Sequence, residues 1–209
     1  VVDVRVKAVW KYKTQTMIYG PETARVGEKH GFTIGVLDED YVPVNRLVRV
    51  FLNGSLLMER RAPFTVNLTF NRSGVYNLTA LFPEDPDYLG SWNFTLIRVR
   101  KWKTRLRVEA PRLVKVGELF NLTVVLERES PDSTEGNPRW EPLANKTVSL
   151  STGSSGETGL KGRVLFRLNL TREGKHRFKV EFKGDEKFEP CSASLEIEAE
   201  KWGTALNVS

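Results

Sequence analysis

The chain repeats itself, and that repeat limits its possible folds more than any other feature. The run Tyr19-Gly20-Pro21-Glu22-Thr23-Ala24-Arg25-Val26-Gly27-Glu28 has a counterpart in Glu109-Ala110-Pro111-Arg112-Leu113-Val114-Lys115-Val116-Gly117-Glu118. Proline, a basic residue and then Val-Gly-Glu return in register. Val42-Pro43-Val44-Asn45-Arg46 matches Glu141-Pro142-Leu143-Ala144-Asn145-Lys146. Gly74-Val75-Tyr76 followed by Phe82, Asp85 and Tyr88 matches Gly174-Lys175-His176 followed by Phe182, Asp185 and Phe188. Lys101-Trp102-Lys103-Thr104 matches Lys201-Trp202-Gly203-Thr204. The order never changes. The second copy gains a loop at about Arg128 to Glu141.

Within each copy the apolar residues alternate at period two, the spacing of a half-buried strand. Phe64-Thr65-Val66-Asn67-Leu68-Thr69-Phe70 and Tyr76-Asn77-Leu78-Thr79-Ala80-Leu81-Phe82 place their even positions on one face. Phe120, Leu122, Val124 and Leu126 share a face, as do Val164, Phe166, Leu168 and Leu170. Phe178, Val180 and Phe182 make another stripe, and Leu195, Ile197 and Ala199 a fourth. No stretch sustains helical spacing. Turn residues such as Asn53-Gly54, Ser73-Gly74 and Gly184-Asp185 separate the runs. In Trp92 to Val99 either Trp92/Phe94/Leu96 or Ile97/Val99 faces inward, so a bulge is expected there. About seven short strands in roughly 90 to 100 residues predict an immunoglobulin-like sandwich. The fold expected is all-β: two tandem immunoglobulin-like antiparallel β-sandwiches.

The order of proline, Val-Gly-Glu, strands, Gly-Tyr strand, Asp, aromatic and final strand resembles the bacterial and archaeal Ig-like repeats of cell-surface and secreted proteins. That resemblance covers nearly the whole chain. It implies adhesins, envelope proteins or stalks of secreted enzymes, and it brings no shared catalytic residues. The expected organisation is 1–13 as the last strand and junction of a preceding unit, 14–102 as repeat 1, 103–203 as repeat 2, and 204–209 as the start of a further repeat. On this reading the parent protein is longer at both ends. Trp10, Trp102 and Trp202 are expected to pack between successive domains.

Composition narrows the setting. Lys and Arg total 32 against 26 Asp and Glu, a net charge of +6 over 209 residues. Both signs intersperse along the chain, which is not the one-sided basic face of a nucleic-acid binder. Cys191 is the single cysteine, so no disulfide closes within the chain. Gln15 is the only glutamine, and charges are abundant, a composition that leans toward a thermophile and, with the missing disulfide, toward an archaeal or other prokaryotic surface protein. No apolar run is long enough to form a transmembrane helix.

Nine of the eleven asparagines begin an Asn-X-Ser/Thr triplet: Asn53, Asn67, Asn71, Asn77, Asn93, Asn121, Asn145, Asn169 and Asn207. In a strand the Asn and Thr of such a triplet point out while the middle residue points in. Threonine suits strands but asparagine does not, so repeated mid-strand asparagines call for a cause other than alternation. They are read as N-glycosylation acceptors, which places the protein at the cell surface or outside the cell.

Other candidate chemistry is sparse. Cys191 with His30 and His176 is the only nucleophile–base material of its kind, and its expected role is structural. Asp38-Glu39-Asp40, Glu84-Asp85-Pro86-Asp87 and Asp185-Glu186 are read as turns rather than a metal site. The run holding Arg98, Arg100, Lys101, Lys103, Arg105 and Arg107 is the most basic, and a polyanion is its possible ligand. Trp92 and Trp140 are the candidate sugar platforms, Trp140 because it lies in the inserted loop. No catalytic residue, metal or cofactor is expected. The partners expected are neighbouring domains of the same chain, and a cell-wall polymer or glycan; nucleic acid is not. The function expected is a non-catalytic structural or adhesive module, a stalk or spacer of a longer surface protein. The alternative is a carbohydrate- or polymer-binding accessory module of a secreted enzyme.

Overall fold

The computed structural model describes residues 10–134 and 136–203. The expectations for the last strand of a preceding unit within residues 1–9, for Asn207 and for the restart at 204–209 lie outside those residues. Every regular element described is a strand. The chain divides into two compact units, the first ending at Lys101 and the second beginning at Trp102.

The first unit carries β1 (Thr14–Tyr19), β2 (Thr23–Arg25), β3 (Lys29–Asp38), β4 (Leu47–Leu52), β5 (Ser55–Arg61), β6 (Phe64–Thr69), β7 (Gly74–Phe82) and β8 (Ser91–Arg100). They form a three-stranded sheet ordered β1-β3-β6 and a five-stranded sheet ordered β2-β8-β7-β4-β5. The second unit carries β9 (Thr104–Glu109), β10 (Leu113–Lys115), β11 (Leu119–Glu129), β12 (Trp140–Pro142), β13 (Thr147–Leu150), β14 (Ser155–Glu157), β15 (Arg163–Asn169), β16 (Gly174–Phe182) and β17 (Cys191–Glu200). Its five-stranded sheet, β10-β17-β16-β13-β14, repeats the first unit's order. So does the other sheet, where β11 pairs with both β9 and β15 and gains β12 from the insertion. In each unit one short strand joins the last strand in parallel, β2 on β8 and β10 on β17, while the other ladders are antiparallel. This two-sheet order is immunoglobulin-like.

Alternation produces the cores. Phe64, Val66, Leu68 and Phe70 are buried, as are Leu78, Ala80 and Phe82 and, in the second unit, Phe178, Val180 and Phe182. Each buried Val, Leu or Phe contributes about 1.5–3 kcal/mol of transfer free energy. The repeated Val-Gly-Glu is a tight turn. Gly27 and Gly117 take φ of 80° and 82°, where a side chain is strained. Their amides donate to Phe70 O and Leu170 O at 2.9 and 2.8 Å, tying the turn to the end of β6 or β15.

Two expectations are corrected. No bulge interrupts Trp92–Val99: β8 pairs with β7 in unbroken register from Ser91 to Val99. Ile97 and Val99 are buried, and Trp92, Phe94 and Leu96 point to solvent. The ladder irregularity lies instead between β4 and β5, at Val50/Phe51. Trp102, expected between successive domains, is 3% exposed and belongs to the second unit's own core, beside Phe188. Its backbone exchanges hydrogen bonds with Lys187 O and Glu189 N, as Tyr12 does with Asp87 O and Leu89 N in the first unit.

Candidate functional site

The acidic turns are built the same way in both units. Asp85 Oδ1 accepts the backbone N–H groups of Asp87 and Tyr88 at 2.9 and 2.8 Å. Asp185 Oδ1 accepts those of Lys187 and Phe188 at 2.8 and 2.9 Å. The second oxygen of each meets a cation from another loop, the one before β4 or β13: Arg46 Nε lies 3.1 Å from Asp85 Oδ2, and Lys146 Nζ 2.6 Å from Asp185 Oδ2. The same cations lie over Tyr88 and Phe188. Burial works against ionisation of both acids, but the donated hydrogen bonds and the adjacent cation outweigh it and hold both carboxyls below the usual range. Asp38 closes its own turn, accepting from Asp40 N and Val42 N. Among the described residues no group of three or more His, Cys, Asp or Glu is placed to hold a metal ion.

Cys191 and His176 stand at opposite ends of one ladder, Cys191 opposite Phe182 and His176 opposite Ile197. Six strand residues separate them, roughly 20 Å. His30 belongs to β3 in the other unit. His176 Nε2 pairs with Arg172 O at 2.8 Å, repeating the bond from Tyr76 OH to Arg72 O at 3.0 Å. Burial raises the Cys191 thiol pKa, so it is protonated and a poor nucleophile at neutral pH.

The basic run is divided between the units. Arg98 and Arg100 are exposed on β8, and Lys101 closes the first unit. Lys103 lies in the second unit and is exposed. Arg105 Nε and Arg107 Nη2 both reach the buried carboxylate of Glu127, at 2.7 and 3.1 Å. Arg105 also lies over the ring of Trp140, 4.5 Å from its centroid. One face of the Trp140 ring is therefore covered by the chain's own guanidinium. The inserted loop is tied back through Ser130 Oγ to Glu141 Oε1, and Arg128 reaches the other oxygen of Glu141, each at 2.6 Å.

Trp92 differs from Trp140. It is 64% exposed on the outer face of the five-stranded sheet, stacked on Phe94 with ring centroids 6.2 Å apart. The sequence leaves the register of this strand open, because its apolar residues switch from even positions (Trp92, Phe94, Leu96) to odd ones (Ile97, Val99).

The eight described sequon asparagines differ in what their side chains already do. Asn67 on β6, and Asn121 and Asn169 on β11 and β15, are exposed on the outer face of the smaller sheet of their unit. Asn71 and Asn145 lie exposed outside strands. Asn53, in the β4–β5 turn with φ of 50°, accepts a hydrogen bond from Asn77 N. Asn77 Oδ1 accepts from Thr79 Oγ1 at 2.9 Å. The Asn93 side-chain amide nitrogen donates to Thr16 O at 3.1 Å. Sequence reasoning did not pair Arg46 with Asp85 or Lys146 with Asp185, although both pairs recur at matched places in the repeat.

No protein-family model matches the chain, and no curated protein matches it in sequence. Several solved structures are similar. The fibronectin(III)-like modules of Clostridium thermocellum CbhA are 17% identical, covering 93% of this chain and 100% of that one, with a TM-score of 0.37. The D0-D1 domain of intimin is 15% identical, covering 88% and 97%, with a TM-score of 0.30. Parabacteroides merdae β-glucuronidase is 18% identical with a TM-score of 0.33, and this chain spans 25% of that enzyme. Likeness of this degree carries no statement about function.

Proposed function

We propose that the chain is a non-catalytic structural module of an extracellular or cell-surface protein, its two units tandem Ig-like domains that carry N-linked glycans. One observation supports this above the rest: the polar groups that recur at matched positions serve the scaffold. Arg46–Asp85 and Lys146–Asp185 lock the same turn. Tyr76 and His176 close the same corner. Thr14 and Thr104 hydroxyls bind Leu89 O and Glu189 O, both at 2.7 Å. A repeat that preserves its latches preserves mechanical integrity, which is what a stalk requires. Polar strand faces dense in sequons suit an exterior setting.

The test is single-molecule extension of the chain. The expected record shows one cooperative unfolding event per unit, with the second shifted to lower force by Asp185→Ala and the first left unchanged. Measured hydrolytic turnover of any substrate by this chain would overturn the reading. Carbohydrate binding is the second reading, favoured by the exposed Trp92–Phe94 pair. Glycan binding lost in Trp92→Ala would establish it.

A further inference from the structure

The two units hold the same strands in the same order, so each is a control for the other. On the outer face of the first unit's five-stranded sheet, β8 presents Trp92, Phe94 and Leu96, the last two 49% and 48% exposed. The matched positions on β17 are Ser192, Ser194 and Glu196, and Glu196 pairs with Lys175 and Arg177. The fold therefore does not require apolar residues at these places. An apolar stripe that the scaffold does not need marks a surface that something covers.

The neighbouring strand says what covers it. Asn77 stands directly opposite Leu96, and Thr79 opposite Phe94. Directly opposed side chains on one face lie about 5 Å apart, and diagonal ones about 7–8 Å. Asn77-Leu78-Thr79 is a complete sequon on that face, with its threonine hydroxyl already bonded to the asparagine carbonyl oxygen. The matched positions of the second unit are Arg177 and Lys179, so the stripe and the sequon are present together in one unit and absent together from the other. Sugar rings carry apolar C–H faces that pack on aromatic planes. From Leu96 to Trp92 the strand runs roughly 14 Å, a length the first few sugars of a chain can follow.

We infer that Asn77 carries an N-linked glycan whose first sugars lie along Leu96, Phe94 and Trp92, so that the modification completes the first unit's outer face. This rests on the proposal that the sequons are used. Cover by the chain's own glycan also blocks the stripe from associating with other molecules.

The experiment uses full-length chain secreted from its native cells, with glycopeptide mapping and residue-resolved hydroxyl-radical footprinting. The expected result is occupancy at Asn77 and at least threefold slower labelling of Trp92 and Phe94 than in Asn77→Gln. Thr79→Ala should lose the glycan and the protection together, and Thr79→Ser should keep both. Glycans at other sequons with Asn77 bare would overturn this inference and leave the module reading standing. No glycan anywhere would overturn the inference and the glycan part of that reading. Equal labelling with and without the Asn77 glycan would overturn the packing. Dimerisation of the native chain, lost in Trp92→Ser, would assign the face to a second copy instead.

Discussion

Asp185 and Asp85 each join two neighbouring backbone amides to a cation from another loop. Removing the acceptor leaves those amides without a partner. Asp185→Ala should cost about 2 kcal/mol, read as a lower melting temperature of the second unit. Asp185→Asn keeps an acceptor oxygen and should cost less. The pH dependence has a definite sign. Both carboxyls ionise more readily folded than unfolded, so their contribution is complete above the unfolded value near 3.9 and is lost as pH falls through the lower folded value. The advantage of the native chain over Asp185→Asn should thus be constant above about pH 5 and shrink below about pH 4. An advantage that does not change with pH would remove the ion pair from the explanation. Gly162 sets a second limit at this scale. Its φ is 68°, and a Cβ would stand 2.4 Å from Leu126 O. Gly162→Ala should destabilise the second unit by about 2 kcal/mol or more, measured by denaturant unfolding. Neither acid is recognisable as a latch from its own sequence, because Asp in a Pro- or Gly-containing turn reads the same whether or not a cation reaches it.

At the scale of elements, the edge-strand alternation of β6 and the buried stripes of β11 and β16 are legible in the sequence, because each exposes one polar and one apolar face. Strand β8 is not. Its apolar residues change faces midway, from Trp92, Phe94 and Leu96 to Ile97 and Val99, and only pairing with β7 decides that Ile97 and Val99 go in. Trp102 lies near a repeat boundary, and its ring belongs to the unit that follows. Trp102→Ala should therefore cost about 3–5 kcal/mol and lower the second unit's calorimetric transition alone. Tyr12→Ala, at the matched but half-exposed place, should cost about 1 kcal/mol and act on the first unit. A Trp102→Ala effect shared by both transitions would contradict the boundary at Lys101/Trp102.

Across the whole molecule, the comparison between units yields its own test. Trp92→Ser, Phe94→Ser and Leu96→Glu together copy the second unit's face onto the first. The unglycosylated triple variant should unfold within about 1 kcal/mol of the parent while remaining soluble at higher concentration. A large loss of stability would mean that the stripe supports the fold. The repeat, the strand periods and the sequons were determined by the sequence alone, since covalent order and period-two alternation need no partner to be seen. Which face of β8 meets solvent, which cation reaches which turn acid, and that Arg105 covers Trp140 were decided only by tertiary structure. Each depends on residues distant along the chain being brought within a few ångströms, and local patterning carries no record of that distance.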